Sequence, residues 1–232
     1  MQSITMRKLK YVAPILIAVA CLGLQKAKAD NSTFFLSTSN VPGFNNINMV
    51  QVSITTNGTN TANISFTSQT ANVGGTNYLF MIGNGSAFDL NTSAPATTGS
   101  YNFTQPANGG FTTPSVSGPN GSGQVDGWGV FNNTNTMFDG FAHAVSAVTF
   151  TLTKNNGVWG SAANVLLGNA NGAFAAAHIF ITLAPGNLSN GAIFTGYAAN
   201  GGAVNTPDGG TTVMLLGMAL GALGMVRRYL TS

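Results

Sequence analysis

The sequence predicts an all-β protein. We expect a single β-sandwich or jelly-roll-like domain, flanked by an N-terminal signal peptide and a C-terminal short transmembrane helix. Three observations carry this expectation. Apolar residues in the middle of the chain recur with period two, and Asn-Gly and Gly-rich turns separate the alternating stretches. An uncharged apolar run with basic residues on its outer flank also stands near each end of the 232 residues. Only 6% of residues are charged, but 44% are hydrophobic, so the low charge does not mean disorder.

In chain order, residues 1–29 read as the signal peptide. Arg7, Lys8 and Lys10 form its basic start, Tyr11–Leu24 its apolar stretch, and Ala27-Lys28-Ala29 a small-x-small cleavage site with Asp30 as the first mature residue. Signal peptidase is the partner this implies. Cys21 is the lone cysteine; a lipoprotein cysteine there would want Leu three positions back, where Ala18 stands. The mature region thus has neither disulfides nor thiol chemistry.

Residues 30–197 are expected to be the sandwich. Met49–Thr55 alternates, Asn57-Gly58 supplies turn chemistry, and Ala62–Thr67 alternates again, the clearest hairpin in the chain. Tyr78–Ile82, Val145–Thr153 (with Val148, Phe150 and Leu152 on one face) and His178–Leu183 read as further strands. Thr33–Leu36, Trp128–Phe131 and Ala192–Tyr197 are shorter ones. Thr104–Gly123, rich in Pro, Gly and Ser, is expected as a long surface loop. Ser161–Gly168 and Asn171–Ala177 are Ala-rich and compatible with a helical turn or a loop. At roughly 175 residues the mature region suits one domain. Residues 198–205 are expected to be a linker.

The end of the chain, 206–232, is a tail with three parts. Thr206-Pro207-Asp208-Gly209-Gly210 is turn-forming, 211–226 is apolar, and Arg227-Arg228 is a basic end. Val213–Val226 alone would span roughly 21 Å as a helix, short against a bilayer core of about 30 Å. Thr211, Thr212 and a snorkelling Arg227 narrow the gap.

Charge placement supports export of the middle. Arg7, Lys8 and Lys10 on one side, and Arg227 and Arg228 on the other, favour the cytoplasmic face. Lys26 and Lys28 lie on the opposite flank and weaken this bias without reversing it. Between residues 30 and 210 stand Asp30, Asp89, Asp126, Asp139 and Asp208 against Lys154 alone, and the chain has no Glu. The net charge of +3 therefore comes from +7 at the two ends set against −4 between them. A mature region with one Lys and no Arg cannot neutralise a phosphate backbone, which excludes nucleic acid as a partner.

The tail resembles the PEP-CTERM class of bacterial sorting signals in its Val-Pro-Asp-Ser/Gly-Gly variant. Pro207, Asp208, Gly209 and Gly210 stand for the motif, with Thr206 in place of the variant's Val, and Arg227 and Arg228 for the basic end. The resemblance implies an exosortase-like membrane protease as partner, transient anchoring in the inner membrane, and final placement at the cell surface or outside. A second resemblance covers residues 46–200. Asp126–Phe131, Phe138–Phe141, Val145–Thr153 and Ala176–Phe180 are similar to ectodomains attached to such tails, which implies an all-β fold without assigned activity.

Chemistry-bearing residues are few. His143 and His178 are the two histidines; Asp139 precedes His143 by four, but no Gly-x-Ser-x-Gly marks a nucleophile. A glycosidase pair would have to come from Asp30, Asp89, Asp126 and Asp139. Asp126-Gly127 and Asp139-Gly140, near Asn132, Asn133 and Asn135, offer loop oxygens for calcium but no Asp-x-Asp repeat. Trp128 and Trp159, with Tyr101 and Tyr197, are candidate glycan-stacking faces, although large rings usually serve the core. No catalytic residue, metal or cofactor is expected. The sequence favours a non-enzymatic exported surface or extracellular-matrix protein associated with exopolysaccharide or the cell envelope. A carbohydrate-binding module is the alternative, and a secreted hydrolase the next.

Overall fold

A computed structural model describes residues 29–137 and 140–200, together with the backbone of 204–205. The expected signal peptide through Lys28 and the tail from Thr206 onward lie outside the described residues, as do Phe138, Asp139 and residues 201–203.

The described chain is all-β, as expected. Its long strands are β1 (Asp30–Ser39), β2 (Val50–Thr56), β3 (Thr61–Ser68), β4 (Thr70–Val73) and β5 (Thr76–Ile82). Seven short strands follow: β6 (Asp89–Leu90), β7 (Ala96–Thr98), β8 (Asn102–Thr104), β9 (Val116–Ser117), β10 (Gly123–Val125), β11 (Gly129–Phe131) and β12 (Thr136–Met137). The last are β13 (Ala147–Lys154), β14 (Ala175–Leu183), β15 (Phe194–Asn200) and β16 (Val204–Asn205). Helical geometry among the described residues is confined to 3-10 turns at Phe141–His143, Ala162–Asn164 and Leu188–Asn190.

One sheet runs β4-β5-β14-β15-β1-β2-β3-β13-β7, with β16 on β1, β6 on β14 and β8 on β13. It curls back on itself because β3 and β4 are one bent stretch broken only at Gln69. The Gln69 N–H donates to the Met49 carbonyl (2.9 Å), and its carbonyl accepts from the Phe80 N–H (3.2 Å), so β2 and β5 meet at the bend. The curled sheet is consistent with the expected sandwich. Two two-stranded ribbons, β10-β11 and β9-β12, lie apart from it.

Alternation explains the sheet's inner face. In β2 and β3, Val52 faces Phe66 and Ile54 faces Ile64 across the ladder, and all four are buried. Gly58 takes a φ of +68° in the intervening loop, a conformation that costs glycine least. Val148, Phe150 and Leu152 of β13 extend the same face. At its centre Phe88 packs against Phe66, Phe150 and Tyr101, with ring centroids 5.4–5.9 Å apart. Such ring pairs add about 0.5–1.5 kcal/mol each beyond burial.

β14 differs: all its residues except Leu183 are buried. Its odd positions (Ala175, Ala177, Ile179, Ile181) enter the main core. Ala176 on the other face packs with Val125 and Phe131, and Phe180 with Met81 and Ala144. This double burial corrects one expectation. Ala175–Ala177 are strand rather than helical turn or loop, because pairing on both sides overrides alanine's helical preference.

The domain boundary moves as well. The described residues of 198–205 are strand rather than linker: Ala198 and Ala199 are fully buried in β15, and Leu36–Ser39 of β1 pair with Ala198–Asn200. Val204–Asn205 then pairs with Ser32–Thr33. Small residues that read as linker composition are here the ones that fit between two packed neighbours. Thr104–Gly123 is largely loop, as expected, with β9 inside it and β10 at its end.

Candidate ligand-binding face

The outward side of β1, β2, β3 and β13 is set by the same alternation that buries their apolar residues. The pairing register then aligns outward residues across strands. Thr33, Ser53, Ser65 and Thr149 stand opposite one another in one row, which Asn102 of β8 continues. Asn31, Thr55, Asn63 and Thr151 form the next. Rows lie about 6.8 Å apart along the strands, and neighbours within a row about 4.8 Å apart. No charged residue occupies either row.

The hydroxyls partly satisfy each other. Thr55 Oγ1 donates to Asn31 Oδ1 at 2.9 Å, Ser65 Oγ and Thr67 Oγ1 are 3.2 Å apart, and Thr33 and Ser53 hydroxyls are 3.4 Å apart. Asn31, Asn63, Asn102 and Thr149 are exposed, the others half-buried by their neighbours. Ser100 and Asn102 form one side of a shallow groove of about 260 Å³ that runs over Ser53, Thr55, Ser65 and Thr149. This surface can donate and accept hydrogen bonds along its whole length and offers no ion pair.

The residues singled out from the sequence fall elsewhere. Trp159 is 2% exposed and lies in the main core, its indole N–H aimed at the Leu152 carbonyl (3.4 Å) and Lys154 Nζ 5.4 Å from its ring centre. It has no free face for a sugar, which corrects that expectation. Trp128 is half-buried against the cluster of Val125, Phe131, Ala173, Ala176 and Ala199. Ala29 is exposed, and Asp30 opens β1 with its carboxylate accepting from the Ala162 N–H (2.6 Å). Pro207, Asp208, Gly209, Gly210, Arg227, Arg228 and Ala27 lie outside the described residues.

The histidines are apart. His143 sits in a 3-10 turn with Nδ1 3.0 Å from Thr112 Oγ1, and its expected neighbour Asp139 is outside the described residues. His178 is buried between Phe180 and Tyr197, with Nε2 3.0 Å from Thr195 Oγ1, and burial lowers its pKa.

Asp89 is fully buried in β6, opposite Ala176. Desolvation raises its pKa to about 7 against the hydrogen bonds of Asn135 and Ser86. Its Oδ1 accepts from the Asn135 N–H (2.9 Å). Tyr197, on the same face, has its pKa raised by burial and by Asp89 and Asp126. Asp89 is structural; a carboxylate so enclosed cannot pair with another across a sugar. The amides near Asp126 are likewise committed internally. Asn132 Oδ1 accepts from the Thr92 N–H (2.8 Å), and Asn135 Nδ2 donates to the Phe88 carbonyl (3.0 Å). Among the described residues no three His or Asp side chains converge as a metal site would require.

Comparison with known proteins bears on the tail. Residues 207–230 match the VPDSG-CTERM motif, a sorting motif of the PEP-CTERM type. This motif indicates an exported, envelope-associated protein and implies processing by an exosortase-like enzyme. No curated protein and no solved structure matches the chain.

Proposed function

We propose that this is a non-enzymatic protein of the cell envelope or extracellular matrix, whose folded domain holds neutral polysaccharide on the hydroxyl face of β1, β2, β3 and β13. After export, the tail anchors it briefly in the inner membrane before an exosortase-like enzyme processes it. The observation that carries the proposal is the chargeless double row of Thr, Ser and Asn side chains, set in register across the sheet.

Each hydrogen bond to a polymer hydroxyl replaces one to water and adds only about 0.5–1.5 kcal/mol. Useful retention therefore needs several contacts at once, which a long polymer on an extended face provides. With no ion pairs involved, screening has nothing to weaken.

The test is retention of the mature domain on the producing cells' own extracellular polymer. Retention should persist from about 0.1 M to about 1 M salt, over which the Debye length falls from about 10 Å to about 3 Å. Replacing Asn63 and Thr149 together by Asp, both exposed and hence tolerated by the fold, should weaken it about tenfold or more. Release by modest salt, or full retention by the double variant, refutes the proposal. A carbohydrate-binding module built on aromatic stacking retains Trp128 as its candidate; it predicts that Trp128→Ala alone abolishes retention.

A further inference from the structure

We infer that one pole of the domain is a membrane-contacting surface, the end formed by the β2–β3 loop and the loops spanning 91–96 and 155–174. The inference rests on the proposed anchoring of the tail and adds how the domain is oriented on the bilayer. It follows from where the chain enters and leaves the fold. β15 runs antiparallel to β1, so its end approaches the start of β1; Asn200 pairs with Leu36 and Asn205 with Ser32. Both processing points, after Ala29 and at the motif beginning at Pro207, therefore adjoin the same pole.

Reach makes the constraint tight. Seven residues separate Asn205 from Val213, the start of the apolar run, and cover at most about 24 Å when extended. Five residues separate Leu24 from Asp30, about 17 Å. The opposite pole, where β15 begins, is a further strand length away, about 23 Å.

The surface presented there suits a bilayer interface. Val158 and Leu167 are 55% and 60% exposed, among the most exposed large apolar side chains described. The loops bearing them are tied to the pole: the Trp159 N–H donates to the Thr59 carbonyl (3.1 Å) and the Leu167 N–H to the Asn91 carbonyl (2.9 Å). Lys154, the lone cation between residues 30 and 210, stands at the same end, its backbone N–H donating to the Asn60 carbonyl (2.7 Å). Two apolar side chains beside one cation match a lipid interface with anionic headgroups: apolar tips enter the boundary and the ammonium meets phosphate. Asp30, the acid at this pole, has its carboxylate turned to the Ala162 N–H.

The experiment uses the full chain, reconstituted without exosortase into vesicles of phosphatidylethanolamine and phosphatidylglycerol that carry a nitroxide-labelled lipid. In a Cys21→Ser background, Val158→Cys, Leu167→Cys and Ile193→Cys each receive an environment-sensitive fluorophore; Ile193 is 42% exposed at the opposite pole. Quenching should be several-fold stronger at 158 and 167 than at 193, and Lys154→Gln should reduce it. Flotation with the vesicles but equal quenching at all three sites overturns the oriented pole. Failure to float with the vesicles overturns the tether beneath it.

Discussion

Trp159→Ala should cost the mature domain about 3–5 kcal/mol, the range for removing a large buried aromatic, without removing any contact to ligand. The side chain is 2% exposed and belongs to the main core. Its backbone N–H also ties the loop after β13 to the hairpin at the Thr59 carbonyl (3.1 Å), and its carbonyl accepts from the Ser161 N–H (2.9 Å) within that loop. Alanine would leave a cavity between two elements held in place by these bonds, so little collapse can offset the loss. For a domain of this size the midpoint of thermal melting should fall by about 10 °C. Lys154→Ala removes the cation above the ring, worth about 0.5–1 kcal/mol at a partly exposed site, together with the Nζ–H bond to the Val158 carbonyl (2.9 Å). Urea or thermal melts of the two variants separate these terms. A Trp159→Ala protein as stable as wild type but unable to hold polymer would place the ring in a binding site and contradict its assignment to the core.

The second large effect is a pH dependence centred on Asp89. In the unfolded chain its carboxyl has an ordinary pKa near 3.8, and burial raises it to about 7 in the fold. Between those values the folded state binds the proton and the unfolded state does not. Stability from this group is thus complete below about pH 4, falls as pH rises through the window, and is gone above about pH 7. A shift of this size corresponds to about 4 kcal/mol at most. His178 acts with the opposite sign, since burial lowers its pKa and stability is lost as pH falls below 6.5. Comparing wild type with Asp89→Asn cancels the histidine, because both proteins carry it. Asn keeps an acceptor for the Asn135 N–H but does not titrate. The difference in unfolding free energy between the two should therefore shift steadily against wild type from pH 4 to pH 7. A difference that stays constant over that range would mean Asp89 is not held neutral by burial.

Much of the fold was legible because two-residue alternation is written directly into side-chain chemistry. The β2–β3 hairpin, β13 and the core of β5 follow from it, down to which face is buried. β4 was not legible: Thr70-Ala71-Asn72-Val73 alternates, but over four residues with alanine as one of its two apolar members the period is too short to register, and its strand state comes from pairing with β5. Of the ribbons, β11 falls within the expected strand Trp128–Phe131, whereas β9, β10 and β12 are two or three residues long, too short for any period to register. In β14 and β15 the alanines carry no β signal of their own. They are small because layers press on both faces, information that only tertiary packing supplies.

The proposed binding face was legible in part. Outward Thr, Ser and Asn can be listed from the alternation in β2, β3 and β13, but their alignment into rows depends on register, fixed by the hairpin and by β13 pairing with β3. Trp159 misled because an aromatic in a Gly-rich loop looks available, and nothing local says that the loop folds over a core. Trp128 lies in a comparable loop and remains half-open, so composition alone could not separate the two.

The account turns on delivery of this domain across the inner membrane and removal of both flanking segments. Intact-mass measurement of the protein recovered from the cell surface and medium tests that most directly. It should give an N-terminus at Asp30 and a C-terminus at or near the motif beginning at Pro207. Recovery from the soluble cytosol of the uncut 23.7 kDa chain, with Met1 and Ser232 both present, would contradict it.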